Sequence, residues 1–376
     1  MQRRRQPGPA ATRPVLVAIP ARDEAEEIEP CLLALAAQRH APPIAAVVVC
    51  LNNCHDGTAA VVRGIENHLP FSIHKLEVTL PDGAACAGHA RRLAMQRAAE
   101  LAGRDAVLFT TDADARVGPN WIVSNLAALA AGADAVAGRA VIEPEGAKLI
   151  AAHLHAIDAR ECAYAALLDE VNTLVDPDPV DLWPRHDEES GASIAVTLAA
   201  HRRAGGIPVV PLGEDRAFFD ALRRVDARIR HEPSISVVVS ARTEGRASGG
   251  MADTMRRRME RPDPFLDARL EPAVDALQRV RLRRRLRETW AMPRRDAAPA
   301  VAAQLGLPAA QLAELLCMNH FGAAWAAVEA ASPVLRRRRR VPLEALPGQT
   351  ARALRIRDDL RLEADRAGTA IPVAAE

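Results

Sequence analysis

Three short apolar segments in the first third of the sequence end abruptly in polar residues, and this pattern constrains the fold more than any other feature. They lie at residues 15–19, 45–51 and 106–111. Their length and their content of β-branched and aromatic residues are typical of buried strands. Residues 26–38 and 58–67, which lie between them, are predicted to be helical. Strands that alternate with helices predict an α/β fold with a mostly parallel central sheet flanked by helices.

The third apolar segment ends in Asp112-Ala113-Asp114. In open α/β sheets, ligands bind at the carboxyl ends of the strands, where these two carboxylates are expected to lie. Paired carboxylate oxygens suit Mg²⁺ or Mn²⁺ when the ion is shared with a substrate phosphate. An acidic turn is the competing interpretation, because aspartate is common in turns. The neighbouring motifs have to decide between the two.

Composition argues against several other classes of protein. The chain of 376 residues carries 49 basic and 48 acidic side chains, and so balanced a charge gives no reason to expect nucleic acid as a partner. Its six cysteines include no Cys-x-x-Cys pair, which disfavours a zinc module or a disulfide framework and favours a cytoplasmic location. No apolar run is long enough to span a bilayer.

A change in composition near residue 251 predicts the domain organisation. Residues 1–13 are rich in Arg, Pro and Gly and are expected to form a disordered arm before an α/β domain at 14–251. Residues 252–376 are predicted to be a helical C-terminal extension, rich in Arg, Ala and Leu. Its arginines cluster at residues 256–258, 283–285 and 336–340. Such basic helices either expose solvated faces or lie on an anionic membrane, so peripheral contact with the inner face of a membrane stays an open alternative.

The order of the polar motifs along the chain is more specific than any one motif. They are Pro20-Ala21-Arg22-Asp23-Glu24, Asn52-Asn53-Cys54-His55-Asp56-Gly57, Asp112-Ala113-Asp114, Gly191-Ala192-Ser193 and Gly213-Glu214-Asp215. In this order, residues 15–250 resemble the family 2 glycosyltransferases, which are inverting enzymes that use nucleotide-sugar donors. The resemblance implies the GT-A fold, which is the fold of nucleotide-diphospho-sugar transferases.

The resemblance also implies where the donor binds. The residues that it places beside the nucleoside and its base are Pro20, Arg22, Glu24, Asn52, Asn53 and Asp56. Arg91 and Asp112 would lie near the diphosphate, and Asp112 and Asp114 would bind Mg²⁺ or Mn²⁺. Where the family often has an aspartate at the end of the second strand, this chain has Leu51. The identity of the nucleotide therefore stays open.

The Glu214-Asp215 pair would supply the catalytic base. The resemblance implies that Asp215, with Glu214 beside it, deprotonates the acceptor hydroxyl. Inverting transfer needs a carboxylate on the side of the anomeric carbon opposite the leaving group, and a cation that neutralises the leaving diphosphate. The competing interpretation is that the pair caps the helix that follows it.

Four further residues are candidates for contacts with substrate. Arg242, with Arg246, resembles the Arg- and Gly-rich closing segment of the family and is suited to gripping phosphate, although a solvated basic turn explains the same pattern. Arg185 and His186, in a Pro- and Asp-rich loop, are candidates for contact with the acceptor.

We therefore expect an inverting glycosyltransferase that moves a sugar from a nucleotide-diphosphate donor to a hydroxyl of a small molecule, a lipid or a glycan. One alternative is a sugar-nucleotide nucleotidyltransferase, although such enzymes usually have a Gly-rich phosphate loop after the first strand, where this chain has Pro20–Glu24. The other is a nucleotide-sugar-binding protein without catalytic activity, which the presence of both acidic motifs disfavours.

Overall fold

The computed structural model describes residues 13–81, 85–242, 250–261, 263–292 and 297–368, and only the backbone of 251 and 252. Nearly all of the predicted arm, and Arg246, therefore lie outside the described residues. The strands are β1 (Val15–Ala21), β2 (Ile44–Asn52), β3 (Ser72–Val78), β4 (Val107–Thr110), β5 (Ala115–Val117), β6 (Ala135–Ile142), β7 (Ile194–Thr197) and β8 (Ile229–Val239). The α-helices are α1 (Ile28–Ala36), α2 (Thr58–Ile65), α3 (Ala87–Leu101), α4 (Trp121–Ala130), α5 (Pro144–Ala147), α6 (Ala152–Val175), α7 (Leu198–Arg203), α8 (Glu214–Arg224), α9 (Met251–Glu260), α10 (Ala273–Ala291), α11 (Ala298–Leu305), α12 (Ala309–Leu315), α13 (Phe321–Ala331) and α14 (Leu346–Ala367).

The strands form one sheet in the order β3-β2-β1-β4-β7-β6-β8-β5. β1 pairs in parallel with β2 and β4, β2 with β3, and β6 with β8. β7 is antiparallel to β4 and β6, and β5 is antiparallel to β8. All strands except β5 and β7 therefore run in one direction. The α/β class predicted from the sequence is confirmed, as is the mostly parallel sheet flanked by helices.

Helices cover the sheet on both faces. Successive residues of a strand point to opposite sides, so one strand contributes to a core on each face. Val17 of β1 belongs to a core on one face together with Leu32 of α1. Ala18, the next residue, belongs to the core on the other face with Met95 of α3 and Phe218 of α8. All seven residues of β1 are buried, as expected of a central strand that is covered on both sides.

The ends of four strands meet at one edge of the sheet. In the parallel registers, Ala18 of β1 lies beside Val48 of β2 and Thr110 of β4. β7 runs the other way, so its first residue, Ile194, pairs with Thr110, the last residue of β4. The polar motifs that follow β1, β2 and β4, and the one that precedes β7, are therefore gathered at this edge.

The region after β8 is helical in its described residues, as predicted. α14 packs along α6, and Tyr164 and Leu168 of α6 share a core with Leu346 and Ala353 of α14. The Tyr164 hydroxyl also donates a 2.6 Å hydrogen bond to the carbonyl of Glu271. α6 precedes the predicted boundary at residue 251, so the two regions share buried side chains. The division into 14–251 and 252–376 stays a prediction.

Most of the C-terminal arginines that form clusters in the sequence contact acids of the same chain. These ion pairs are Arg256–Asp253, Arg257–Asp263, Arg258–Asp263, Arg283–Asp176, Arg284–Glu288, Arg338–Glu271 and Arg339–Asp275. The pairs give the clusters a role within the chain, and contact with a membrane stays a prediction. Among the described residues, none of the helices has the length and apolar character needed to cross a bilayer.

Candidate active site

Arg91 joins the two acidic motifs at the edge of the sheet. Its Nη2 lies 2.5 Å from Oδ1 of Asp112, and its Nε lies 3.1 Å from Oε1 of Glu214. The first turns of α3 and α8 approach closely because α3 has a glycine there: a Cβ on Gly88 would lie 2.9 Å from Cβ of Glu214. A residue on one helix therefore contacts acids that are far apart in the sequence.

Further hydrogen bonds fix the Arg91 side chain, which is only 3% exposed. Its Nη1 donates to Oγ1 of Thr110 at 2.9 Å and to the carbonyl of Gly191 at 2.8 Å. A Cβ on Gly191 would lie 2.4 Å from Nη2 of Arg91, so this position needs glycine. Burial alone would lower the pKa of Arg91, but the carboxylates of Asp112 and Glu214 hold it above its usual range. Arg91 therefore stays charged and links the two acidic motifs from a buried position.

Asp215 is held by backbone donors at the start of α8. Its Oδ2 accepts a 3.0 Å hydrogen bond from the N–H of Gly191, and its Oδ1 accepts one of 2.8 Å from the N–H of Arg216. Gly213, just before the helix, has the left-handed φ of 73° that favours glycine. Burial raises the pKa of Asp215, and the neighbouring charge of Glu214 raises it further. A carboxylate with a raised pKa accepts a proton more readily, as a general base must.

Asp112 and Asp114 differ in exposure and in partner. The side chain of Asp112 is 33% exposed, and that of Asp114 is 16% exposed. Arg242 contacts Asp114, with 3.1 Å between its Nη2 and Oδ2 of the carboxylate, and it also makes two 2.6 Å hydrogen bonds to Glu24. Burial raises the pKa of Asp114 to about 7, and the charges of Asp112 and Glu24 contribute to the rise while Arg242 opposes it. The negative charge at Asp114 is therefore only partly compensated.

The acids at this edge suit a metal ion that is shared with a ligand. Among the described residues, no group of three or more His, Cys, Asp or Glu side chains is arranged to hold a metal. Mg²⁺ is usually bound by one or two carboxylates together with phosphate oxygens, so the pair Asp112 and Asp114 fits an ion that also binds a diphosphate. The hard carboxylate oxygens are the ligand type that this class of ion prefers.

The loops after β1 and β2 are joined by hydrogen bonds. Oδ1 of Asp23 accepts from the N–H of His55 at 2.7 Å, and Oδ2 of Asp56 accepts from the N–H of Ala25 at 3.0 Å. The N–H of Glu24 donates to Oγ1 of Thr58 at 2.7 Å. Asp56, which is predicted to contact the base, therefore has a structural role as well.

The two asparagines after β2 have different surroundings. Asn53 uses its amide as a peptide group would: its Nδ2 donates to the Leu80 carbonyl at 3.0 Å, and its Oδ1 accepts from the Leu80 N–H at 2.8 Å. Asn52 is 1% exposed, and its buried Oδ1 has no hydrogen-bond partner among the described residues. An unpaired buried acceptor costs about 1–3 kcal/mol, so this oxygen is suited to accept from a ligand.

The structure brings most of the predicted site residues together. Glu24, Asp112, Asp114, Glu214 and Asp215, with Arg91 and Arg242, are linked by the contacts given above, and we name this set the edge cluster. Arg22 is in the adjoining loop, where its Nη1 donates to the carbonyl of Ala85 at 2.8 Å. Pro20 is buried within β1 and pairs with Cys50.

Arg185 and His186 do not join the edge cluster. Arg185 is bound to Asp181 at 2.6 Å and to Asp169 at 3.3 Å, inside a second group of buried charges. His186 packs edge-on against His231, with ring centroids 5.6 Å apart. Burial, together with the neighbouring His231, lowers the pKa of His186 to about 4. Acids of the chain engage the guanidinium of Arg185, and contact with the acceptor stays a prediction for both residues.

Sequence patterns did not reveal the residues that support the site. Thr110 and Gly191 position Arg91, and the Gly191 N–H positions Asp215. Glu24 was expected beside the nucleoside, but its carboxylate binds Arg242, 218 residues away in the chain. Only the register of β4 and β7, which the sequence does not specify, brings Thr110 and the residues before Ile194 side by side.

Comparison with known proteins gives a family for the first part of the chain. Residues 16–172 match the model of glycosyl transferase family 2. The match runs from β1 through most of α6 and includes Asp112 and Asp114, but it ends before Glu214 and Asp215. Among curated proteins, no relative matches the sequence.

Several solved structures are similar to this chain at low identity. TarS 1-349 of S. aureus in complex with UDP-GlcNAc has 16% identity and a TM-score of 0.46, with 95% of this chain and 92% of that chain covered. The mannosyltransferase PcManGT from Pyrobaculum calidifontis, in complex with GDP-Man and Mn²⁺, has 18% identity and a TM-score of 0.41, with 94% and 84% covered. Glucosyl-3-phosphoglycerate synthase from Mycobacterium tuberculosis, in complex with Mn²⁺, UDP and phosphoglyceric acid, has 13% identity and a TM-score of 0.37, with 72% and 79% covered.

Likenesses this distant leave the assignment to the family match and to the observed fold. The resemblance inferred from the order of the motifs is confirmed for residues 16–172, which match the glycosyl transferase family 2 model.

Proposed function

We propose that the protein is an inverting glycosyltransferase that moves a sugar from a nucleotide-diphosphate donor to a hydroxyl acceptor. The observation that carries the proposal is the contact of Arg91 with both acidic motifs, at 2.5 Å from Asp112 and 3.1 Å from Glu214. This contact holds the carboxylates suited to a donor diphosphate next to the pair suited to deprotonate an acceptor. An acidic turn and a helix cap would each explain one motif, but not their connection.

Asp215 would be the general base. In the proposed reaction, the acceptor oxygen attacks the anomeric carbon as the bond to the diphosphate breaks, and Asp215 takes the hydroxyl proton. Two backbone N–H groups orient its carboxylate, and burial raises its pKa. Both features favour a base that is ionised yet ready to accept a proton.

Asp112 and Asp114 would hold Mg²⁺ or Mn²⁺ together with the donor diphosphate. When bound, such an ion acts as a Lewis acid that neutralises the charge developing on the leaving group. Arg91 fixes Asp112 by its 2.5 Å contact. The raised pKa of Asp114 supports this assignment, because it marks a carboxylate whose charge is under-compensated within the protein.

The nucleoside would lie against the loops after β1 and β2. Asn52 supports this assignment, because its buried and unpaired Oδ1 could accept a hydrogen bond from an N–H of the base. Both uracil and guanine have such a group, so the nucleotide stays open. The acceptor, a cytoplasmic location and contact with a membrane also stay predictions.

A thermal-shift assay tests the donor site. The wild type is heated with UDP, GDP, CDP or dTDP, each with and without Mn²⁺, and compared with Asp112→Ala/Asp114→Ala. A ligand that binds only the folded state raises the melting temperature. We expect a metal-dependent shift with one nucleotide that the double variant loses. Asp358→Ala, which changes a side chain 57% exposed on α14, is the control and should keep the shift.

Two further measurements test the transfer itself. Release of the nucleoside diphosphate from a panel of nucleotide sugars and hydroxyl acceptors should identify a productive pair. NMR of the product then gives its anomeric configuration, which should be opposite to that of the donor. A product of retained configuration would contradict the inverting mechanism, and a nucleotide shift without any turnover would favour a protein that only binds nucleotide sugars.

A further inference from the structure

Arg242 binds carboxylates of the edge cluster, and its side chain is more exposed than that of Arg91. Its Nη1 lies 2.6 Å from Oε2 of Glu24, its Nη2 lies 2.6 Å from Oε1 of the same carboxylate, and Nη2 also lies 3.1 Å from Oδ2 of Asp114. The planar guanidinium suits this fork on Glu24, because two parallel hydrogen bonds match the two carboxylate oxygens. The guanidinium is therefore a cation at one of the two residues proposed to bind a metal.

The contact compensates charge that would otherwise be costly. The side chains of Glu24 and Asp114 are only 6% and 16% exposed, and each contributes to negative charge near the other. Nearby acids in a partly buried site repel each other unless a cation lies between them. Without a bound metal, Arg242 supplies that cation.

The two arginines of the edge cluster differ in their freedom to move. Arg91 is 3% exposed and donates to two carboxylates, a hydroxyl and a carbonyl. Arg242 is 27% exposed, and within the part of the chain that the structure describes its guanidinium contacts the carboxylates of Glu24 and Asp114. Arg242 is also three residues beyond the end of β8, whereas Arg91 is inside α3. Arg242 is therefore the arginine that can leave its acid when a stronger cation arrives.

We propose that Arg242 competes with the divalent ion for Asp114, and that Glu24 holds Arg242 in place while no metal is bound. The inference rests on the proposed function, because it takes Asp114 as a metal ligand. It adds that the metal site is already filled by a cation of the protein. By linkage, Arg242 then weakens metal binding to the nucleotide-free protein, and a ligand that draws Arg242 away strengthens it. A nucleoside diphosphate is such a ligand, since its phosphates offer the guanidinium another anionic partner.

The test measures Mn²⁺ binding, not activity. Free Mn²⁺ is quantified by electron paramagnetic resonance during titration of nucleotide-free wild type, Arg242→Gln and Arg242→Lys. We expect Arg242→Gln to bind Mn²⁺ at least threefold more tightly than the wild type, because the competing charge is gone. Arg242→Lys should lie between the two, since it keeps the charge but loses the fork. The titrations are repeated with the nucleoside diphosphate that raises the melting temperature of the wild type. This nucleotide should increase the affinity for Mn²⁺ less in Arg242→Gln than in the wild type.

A matched control separates competition from a general effect of charge. Arg139→Gln removes an arginine that is 44% exposed and pairs with Glu188, away from the edge cluster. This variant should bind Mn²⁺ as the wild type does. Circular dichroism of each variant confirms that it is folded.

The outcomes distinguish this inference from the proposed function. If Arg242→Gln binds Mn²⁺ no better than the wild type, the inference is overturned, including when neither binds it detectably. If Asp114→Asn also loses the Mn²⁺ binding and the nucleotide shift of the wild type, the proposed donor site stands without the competition. If Asp114→Asn loses neither, the donor site itself is wrong. A gain in Arg242→Gln equalled by Arg139→Gln would also overturn the inference, because it would reflect net charge alone.

Discussion

The molecule has two groups of ionised side chains that differ in the balance of their charges. In the edge cluster, five carboxylates share Arg91 and Arg242. The second group, which we name the loop cluster, has three buried carboxylates, Asp169, Asp181 and Glu189, and two of its arginines also pair with the more exposed Asp220 and Glu232. Its cations are Arg185, Arg223, Arg230, Arg269 and His231. The edge cluster therefore has more carboxylates than cations, whereas the five cations of the loop cluster are balanced by five carboxylates when Asp220 and Glu232 are counted.

The balance of charge affects the pKa values of the carboxyl groups. Although burial opposes it, His231 and Arg223 lower the pKa of Glu189 to about 2, so this group stays ionised inside the protein. Asp114 of the edge cluster has its pKa raised to about 7 by burial and by nearby acids. Asp169 is the exception in the loop cluster, because burial raises its pKa to about 6 despite Arg185.

The clusters also differ in their most exposed carboxylate, although Glu24 and Glu214 of the edge cluster, at 6% and 12% exposed, are as buried as the three acids of the loop cluster. The side chain of Asp112 is 33% exposed, whereas those of Asp181 and Glu189 are 5% and 1% exposed. The ion pairs of the loop cluster hold residues 176–190 against α8 and the C-terminal region. The edge cluster reaches solvent at Asp112 and has more carboxylates than cations, which is the combination expected of a site that binds a cation and a substrate.

The largest expected effect is the loss of turnover when Asp215 becomes Asn. An amide cannot take the proton, and general base catalysis typically contributes about 10²–10⁴-fold, so kcat should fall by that order while nucleotide affinity is kept. The raised pKa of Asp215 also predicts that kcat/KM of the wild type rises with pH as this group ionises, because only the ionised form is a base. Steady-state kinetics from pH 5 to 8 checks both statements.

Asp220→Asn is the control for this substitution, since it changes an acid on the same helix that is 58% exposed. It should leave kcat unchanged. If Asp215→Asn keeps full turnover, the base is elsewhere, and the comparison between a reactive edge cluster and a structural loop cluster fails.

The next largest effect is on stability, when Arg91 becomes Met. The substitution leaves Asp112 and Glu214 without their buried cation, and removing one partner of a buried ion pair typically costs about 3–5 kcal/mol. The free energy of unfolding, measured with urea, should fall by that order. Arg97→Met, on the same helix, removes an arginine that is 41% exposed and pairs with Glu100, and it should change stability by no more than about 1 kcal/mol. Equal losses of unfolding free energy in the two variants would show that the buried contacts of Arg91 do not stabilise the fold more than an exposed ion pair does.

The loop cluster predicts a dependence of stability on pH that comes from His231. Its Nδ1 lies 2.8 Å from Oδ2 of Asp181, and its Nε2 lies 3.7 Å from Oε1 of Glu189. Burial would lower the pKa of His231, but these carboxylates raise it above its ordinary value of 6.5. A raised pKa in the folded state means that the stabilisation is fully present below pH 6.5 and is lost as pH rises through the raised value.

Urea unfolding of wild type and His231→Asn between pH 6 and 9 measures this contribution. The free energy of unfolding of the wild type should fall more steeply with pH than that of the variant, which has no imidazole to titrate. His153→Asn, an exposed histidine at the start of α6, should follow the wild type. Parallel curves for wild type and His231→Asn would contradict the role of His231 as the charged centre of the loop cluster.

The strands and helices could be predicted from the sequence because each has a local signal. The apolar runs at 15–19, 45–51 and 106–111 became β1, β2 and β4, and helical spacing at 26–38 became α1. β5, at Ala115–Val117, was missed because three residues carry too little pattern. The acids of the edge cluster could be proposed as a group too, because Glu24, Asp112 and Asp114 follow strands, Glu214 and Asp215 begin a helix, and their motifs come in the order that the resemblance implies.

The arginine contacts could not be predicted, because they depend on which distant segments meet. Arg91 and Glu214 are 123 residues apart, and Arg242 and Glu24 are 218 residues apart. Arg185 is a further example: its Pro- and Asp-rich surroundings are typical of an exposed loop, yet Asp169 and Asp181 bind its guanidinium. Composition describes a segment, and it does not indicate that counter-charges from elsewhere will enclose it.

The smallest expected effect concerns an ion pair outside both clusters, and it tests whether burial or pairing determines the contribution of an arginine. Arg284 and Glu288 of α10 are 3.0 Å apart, and both side chains are 54% exposed. Pairs of this kind, four residues apart on a helix, contribute about 0.3–0.5 kcal/mol because water screens the charges. We expect Glu288→Gln to lower the free energy of unfolding by no more than that, and the loss to shrink further in 0.5 M NaCl. A loss as large as that of Arg91→Met would mean that ion pairs stabilise this chain regardless of burial, and the distinction drawn between the edge cluster, the loop cluster and the surface would have no basis in energy.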